Sequence, residues 1–382
     1  MIKRGEESAL TSWYFEIDRN LFFSIIIMFF IGLWAMVSAG SVAAERLNPP
    51  QEWHFFLVKA IPIYVIGFIT FSVSSFMNRR QIMIISALNV LICGLLLVAT
   101  LIIPAAVKGS ARWVNLGFAS VMPSDLMKPG FILITAWFLT RLEKLSPGNI
   151  FTTKRVWKWD AWPAYLGVFL PMLFIIWNHP DFGSFILYLL VFGTMIFLAG
   201  LPMYLLSILF ALCAGVGVFT FMSKAHVKSR ILGFLGLAGG GDNYQIRKSV
   251  EAVQHGGLFG RAEDSFIKQS LPDAHTDFIF SAIAEDVGAI LVSILLILFL
   301  YVLKQLMIHA LNTKDKMVFY ACSGLMVLFG VQVCINVMSA LGLIPTKGMT
   351  LPFISYGGSS FIAFCLAFGM ILALIREDKW KK

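Results

Sequence analysis

Runs of about 20 apolar residues recur along almost the whole chain, and a run of that length is what an α-helix needs to cross the hydrocarbon of a bilayer. Leu21 to Ala44 contains no charged residue. Runs of this kind centre near residues 31, 66, 93, 132, 170, 191, 212, 289, 330 and 364. The fourth is the shortest and follows a polar stretch. The strands of an outer-membrane barrel would alternate apolar and polar residues, and these runs do not. The expected fold is therefore all-α: a polytopic integral membrane protein with about ten transmembrane helices. Of 382 residues, 58% are hydrophobic and 13% charged, which leaves no room for a separate soluble domain. The expected layout is a polar N-terminal segment at 1–20, one transmembrane domain at 21–376 and a short tail at 377–382. A cleaved signal peptide would place its apolar core earlier, so the first span is expected to stay as a signal-anchor.

The formal charge of +9 does not point to nucleic acid, because the basic residues lie mainly in short loops, where they set topology. Arg19, Arg79, Arg80, Arg141, Lys144, Lys154, Arg155, Lys158, Lys304, Lys314, Lys316, Arg376 and Lys379 fall in one set of loops and ends. Arg46, Lys108, Arg112 and Lys347 fall in the other. The richer set belongs in the cytoplasm, with both termini, and the long segment of about 223–275, between spans seven and eight, belongs outside. That segment is too rich in apolar and aromatic residues for simple disorder. All five cysteines sit in apolar runs without metal-type spacing, so neither a disulfide framework nor a metal cluster is supported.

Four polar stretches interrupt this pattern: Gly109 to Gly130, His179 to Ser184, Leu271 to Phe280, and Pro345 to Ser360. All four fall on the outer side of a topology derived only from Lys and Arg. A protein whose polar singularities share one face works on something at that face.

The sharpest of the four is LPDAHTDFIFSAIAEDVG, Leu271 to Gly288, where a polar loop runs straight into a span. A carboxylate at such a boundary, Asp277, loses part of its hydration, which raises its pKa toward the range of a general base. Taken alone, an Asp there more often serves a helix N-terminus. Asp277, Ser281 and Glu285 follow at i, i+4 and i+8 and would share one side of a helix starting at Asp277. Glu285 and Asp286 are costly inside a span, either as functional groups or as a structural pair. Arg112 and Lys128 could grip phosphate, although Asp125 and Lys128 could equally neutralise each other. Trp113 reads as an interface aromatic, and Asp181 after Pro180 as ordinary helix capping. Lys347 could hold an anion. Gln332 and Asn336, at i and i+4, would bond one neighbour, and Tyr356-Gly357-Gly358-Ser359-Ser360 would let a backbone or a lipid tail approach closely.

NVMSALGLIPTKGMTLPFISYGGSS, Asn336 to Ser360, together with RWVNLG, HPDFGS, YQIRKSVEAVQHGGLFG and HTDFIF in that order, resembles the SEDS family (shape, elongation, division and sporulation). The resemblance covers essentially the whole chain from the first span. The form PTKGMTLPF is closer to the cell-division branch than to the elongation branch.

The resemblance implies a peptidoglycan glycosyltransferase. Such an enzyme joins lipid II to a nascent β-1,4-linked glycan strand outside the inner membrane, at the septum for the division branch, and releases undecaprenyl diphosphate. By position it implies Asp277 as the catalytic acid/base, with Arg112, Glu285, Lys347, Gly357, Gly358 and Ser359 on the substrate; Lys128 and Ser355 are further candidates for substrate binding. A divalent cation, Mg or Mn, is left open as a helper at the diphosphate. The implied partners are a class B penicillin-binding transpeptidase and other divisome proteins.

Three stretches depart from the family pattern. Met122-Pro123-Ser124-Asp125 stands for Gln-Pro-Ser-Glu, Glu285-Asp286 for Glu-Glu, and Ala262 for a glycine. A lipid II flippase is the rival from another class. The one-sided polar stretches and the lack of an inverted repeat speak against it. A non-catalytic scaffold would leave those stretches without a reason.

Overall fold

The computed structural model describes residues 9–102, 113–115, 120–145, 162–179, 181–223, 225–234, 241–261 and 266–379. Of the residues singled out above, Lys108, Arg112, Lys154, Arg155, Lys158, Pro180 and Ala262 lie outside them. Within them the chain forms α1 (Ala9–Glu16), α2 (Arg19–Glu45), α3 (Phe55–Ser75), α4 (Arg79–Ile102), the strands β1 (Val114–Asn115) and β2 (Ser120–Val121), α5 (Pro123–Leu126) and α6 (Lys128–Leu145). There follow α7 (Trp162–Asn178), α8 (Phe182–Leu198), α9 (Met203–Ser223), α10 (Ala225–Phe234), α11 (Gly241–Gly256) and α12 (Ile267–Ser270). The chain closes with α13 (Ile279–Asn312), α14 (Lys316–Ala340) and α15 (Gly358–Lys379).

Each of the ten predicted centres falls inside a helix. By length and composition α2, α3, α4, α13, α14 and most of α15 can cross a membrane, while α7 and α8 contain shorter apolar helices. Three of the ten begin on an aspartate that accepts a backbone N–H of the first turn: Asp18 from Leu21 (2.7 Å), Asp181 from Ser184 (3.2 Å) and Asp315 from Met317 (3.0 Å). A short carboxylate there satisfies a donor that the helix itself leaves orphaned.

The most enclosed span is α15, packed on α3, with α14 against α13, α6 and α8. The α3–α15 approach is close. A Cβ at Gly67 would stand 2.7 Å from Phe361 Cδ1, and one at Gly369 would stand 2.6 Å from the Phe71 carbonyl oxygen. Small residues at a helix contact permit this where no hydrophobic force drives helices together. Phe329 and Phe353 pack with Phe368 in the centre, at ring separations of 5.2 and 5.4 Å.

The two ends of the bundle differ. At one, polar contacts knit the helix termini together: His309 with Asp18 (2.7 Å), and the ion pairs Arg79 with Asp315 and Lys316 with Glu143 (2.8 Å). Arg79, Lys316 and Arg376, all assigned to one side from the sequence, meet there, and Arg376 donates to the carbonyl of Phe76. The opposite end carries the described parts of the polar stretches. The segment read as a long loop holds α10, α11 and α12, with α11 laid along α13.

The start of α13 differs from expectation. The helix begins at Ile279, two residues after Asp277. Asp273 takes a left-handed conformation (φ 51°), and its carbonyl collects the backbone N–H groups of Thr276, Asp277 and Phe278. The Asp277 carbonyl, which Ser281 N–H would reach in a helix starting there, is taken by the Asn336 amide, and Ser281 N–H donates to Phe278 instead (3.0 Å). Asp277 therefore faces away from Ser281 and Glu285, which point toward α11 and α12.

Helix α13 is also broken at Gly288 (φ 76°, ψ 176°). In an unbroken helix the N–H groups of Ala289 and Ile290 would reach the carbonyls of Glu285 and Asp286. Here they donate to Gly257 (2.9 Å) and Leu258 (3.2 Å), while the Glu285 carbonyl accepts from Arg261 N–H (2.8 Å). The loop after α11 thus completes the broken helix.

Candidate functional site

Asp277 is half-buried in the turn before α13, and several elements fix its segment. The Arg46 guanidinium, just beyond α2, donates to the carbonyl of Leu271 (2.9 Å). Tyr356 N–H donates to the carbonyl of His275 (2.9 Å), whose ring packs on Phe56 at 4.4 Å. The Asn336 amide, on α14, donates both to the Asp277 carbonyl (2.9 Å) and to the Met349 carbonyl (2.7 Å). One side chain therefore clamps the Asp277 turn onto the loop between α14 and α15.

Gln332, one turn before Asn336 on α14, does the same for the rest of that loop. Its amide donates to the Thr350 carbonyl (3.0 Å) and to Ser360 Oγ (3.2 Å). The i, i+4 spacing read from the sequence is what places both amides on one loop. Ser355 Oγ accepts from Leu351 N–H (2.8 Å), and Ser359 Oγ accepts from Met122 N–H (2.9 Å). Gly357 lets Thr350 approach, since a Cβ there would lie 2.7 Å from Thr350 Cγ2, and Gly358 opens α15 against Ile63.

The Asp277 carboxylate looks onto Gly348. A Cβ at that position would be 3.4 Å from Asp277 Oδ2, and Gly348 itself is left-handed (φ 66°), so backbone and carboxylate both favour glycine. Lys347, the preceding residue, stands beside Asp181 and Gly183 at the start of α8. A Cβ on Gly183 would be 3.8 Å from both Lys347 Cβ and Asp181 Oδ1. Burial pushes the Lys347 ammonium below its ordinary pKa, and the Asp181 charge offsets this only in part. Asp277, Lys347 and Asp181 thus come from three distant stretches to neighbouring positions, Asp277 against Gly348 and Asp181 near the partly desolvated Lys347 that precedes Gly348.

Other residues singled out lie apart from this spot. Lys128 is buried, paired with Asp125 (2.6 Å) and donating to Gln332 Oε1 (2.8 Å). Glu285 is fully buried, where one carboxylate oxygen faces His255 Nδ1 (2.8 Å) and Ile267 N–H (2.9 Å) and the other takes Lys268 N–H (2.6 Å). Asp286 pairs with the Lys268 ammonium (2.5 Å) and accepts from the Ser38 hydroxyl. Lys268 is therefore gripped twice, by its backbone and by its side chain, through consecutive acids. Lys268 and Ser38 had no signal in the sequence, because their partners lie far away in the chain. Among the described residues no group of three or more His, Cys, Asp or Glu is placed to hold a metal.

A profile of the FtsW, RodA and SpoVE proteins, described as a cell cycle protein family, matches residues 18–380. The chain belongs to this family, the SEDS proteins. It is 32% identical to the probable peptidoglycan glycosyltransferase FtsW of Caulobacter vibrioides over 378 residues, covering 98% of this chain and 93% of that protein. The corresponding protein of Coxiella burnetii is 30% identical, covering 98% of this chain and all of its relative. Among solved structures, a chain from a peptidoglycan synthase complex that coordinates polymerization and crosslinking superposes with a TM-score of 0.75 at 27% identity, over 95% of this chain and 98% of that one. The rod shape determining protein RodA of Thermus thermophilus superposes with a TM-score of 0.66 at 26% identity, over 95% and 97%.

Two of this SEDS chain's departures from the family pattern have a structural counterpart. Asp125 and Asp286, each one methylene shorter than the glutamate it replaces, are both held by a lysine on the protein side.

Proposed function

We propose that this SEDS protein is a peptidoglycan glycosyltransferase that polymerises lipid II into β-1,4-linked glycan strands at the outer face of the inner membrane. The observation that carries the reading is the approach of Asp277 to Gly348, next in the chain to Lys347, in a loop clamped by Gln332 and Asn336. Asp277 acts as general base on the acceptor sugar 4-hydroxyl, whose oxygen then attacks the donor anomeric carbon. The C–O bond to the diphosphate breaks, and the leaving group departs as undecaprenyl diphosphate. Lys347 stabilises the charge growing on that group, and Arg112 joins it by family position. A cation already partly stripped of water gains more from an arriving anion than a solvated one does.

The ten-span arrangement with both termini inside, the septal role and a class B transpeptidase partner belong to the same proposal. The FtsW names of the relatives and the synthase-complex neighbour support it. The test is polymerisation of labelled lipid II by purified protein, alone and with its cognate transpeptidase. Wild type should make polymer. Asp277→Asn should lose roughly 10²–10⁴-fold in rate, the usual contribution of a positioned base, while inserting and folding normally. A correctly inserted Asp277→Asn protein polymerising at the wild-type rate would sink the assignment.

A further inference from the structure

We infer that the loop tip Gly257–Gly260 is not part of an aqueous outer loop but is embedded in the outer leaflet of the bilayer, with Leu258 and Phe259 in contact with lipid. The inference rests on α13 crossing the membrane and goes beyond the proposed chemistry.

Height is the first argument. The tip is tied by backbone hydrogen bonds to Ala289 and Ile290. Ile290 and Leu291 begin the apolar strip of α13 that continues through Ile294, Ile297 and Leu300, all exposed on a helix long and apolar enough to span. Exposed aliphatic residues spaced along one side of a span face lipid. Leu258 and Phe259 therefore stand level with the outermost lipid-facing residues of α13 and continue that surface.

Side-chain chemistry is the second. Phe259 is 82% exposed and Leu258 63%, with no charged residue between Gly256 and Gly260. A solvated turn would carry polar residues at such positions. Phe266, also exposed, stands on the His255 ring (4.6 Å) and widens the apolar surface. Arg261 follows at once, long enough to reach the headgroups.

Backbone satisfaction is the third. Irregular chain is tolerated at membrane depth only where its polar groups find partners in protein. The carbonyls of Gly257 and Leu258 take the two N–H groups freed by the break. The N–H groups of Gly257, Gly260 and Arg261 donate to Gln254, Gly256 and Glu285 (3.2, 2.8 and 2.8 Å). Gly256, Gly260 and Gly288 make this possible, because a Cβ on any of them would collide with the facing backbone. The same exchange binds the tip to Glu285, the residue that holds α12.

The test uses the full chain in liposomes with an environment-sensitive fluorophore on Phe259→Cys and, separately, on Leu258→Cys. The labelled wild-type chain sets the background from native cysteines. Leu291→Cys serves as lipid-facing reference and exposed Gln269→Cys as aqueous reference. Quenchers are lipids carrying a spin label high in the acyl chain, and iodide in the buffer. Embedding predicts that both tip probes lose as much fluorescence to the labelled lipid as Leu291→Cys does, and far less to iodide than Gln269→Cys does. Quenching by iodide as at Gln269→Cys, without lipid quenching, overturns the inference. So does a tip open to iodide that becomes shielded only when the transpeptidase is added, which would assign it to a protein partner.

Discussion

Replacing Gly288 by alanine tests how α13 is built. The residue sits at φ 76°, ψ 176°, a region essentially closed to side chains, where a non-glycine residue costs about 1–3 kcal/mol. A Cβ there would lie 2.5 Å from the Leu258 carbonyl oxygen and 2.6 Å from its carbon, so backbone and not a flexible side chain would have to yield. If the two segments part, the bonds from Ala289, Ile290 and Arg261 go with them, at about 1 kcal/mol each. Adding strain and lost bonds gives a destabilisation of about 4–6 kcal/mol. The control is Gly94→Ala in α4, where an added Cβ meets nothing within 4 Å, so helix propensity alone should make it neutral or slightly stabilising. The assay is the thermal and denaturant midpoint of both variants in the same detergent, followed by lipid II polymerisation. Gly288→Ala should unfold well below Gly94→Ala and polymerise poorly. Equal midpoints with full activity would refute the account of the break.

Glu285→Ala should destabilise the protein by about 2–6 kcal/mol, since it orphans the buried N–H groups of Ile267 and Lys268 at about 1–3 kcal/mol each. Glu285→Gln, which keeps an acceptor oxygen, should lose less, and unfolding midpoints of both decide it. The depressed pKa of Lys347 gives a pH prediction with a definite sign. The ammonium is present below its own pKa and lost as pH rises through it, so substrate affinity should fall on an alkaline limb below the ordinary lysine range of about 10.4. An arriving anion favours the charged form, so the limb in kcat should lie above that in kcat/KM. Lys347→Arg should move the kcat/KM limb upward or abolish it, and an unchanged pH profile would remove Lys347 from the anion site.

Much of the fold was legible because a membrane span announces itself over about 20 residues of one chain segment. All ten predicted centres lie in helices for that reason. The capping role of Asp181 and the shared face of Gln332 and Asn336 were legible for the same local reason. The helix start at Asp277 was not. It depends on Asn336, 59 residues further on, taking the Asp277 carbonyl, a choice that the apolar pattern beginning at Phe278 does not record. The role of the glycines at 256 and 260 was equally hidden, since each answers to a backbone about 26 or more residues away.

Composition and apolar run length by themselves determined a helical membrane protein, and the polar stretches marked Asp277 and Lys347 as the residues to watch. Only the tertiary structure decided that Asp277 approaches Gly348, next in the chain to Lys347, while Glu285, close to Asp277 in sequence, turns to bind Lys268 and His255 instead. The physical reason is the range of the forces involved. Desolvation acts residue by residue along a span and leaves its record in composition. Hydrogen bonds and ion pairs act over about 3 Å between groups that the chain brings together only after it has folded.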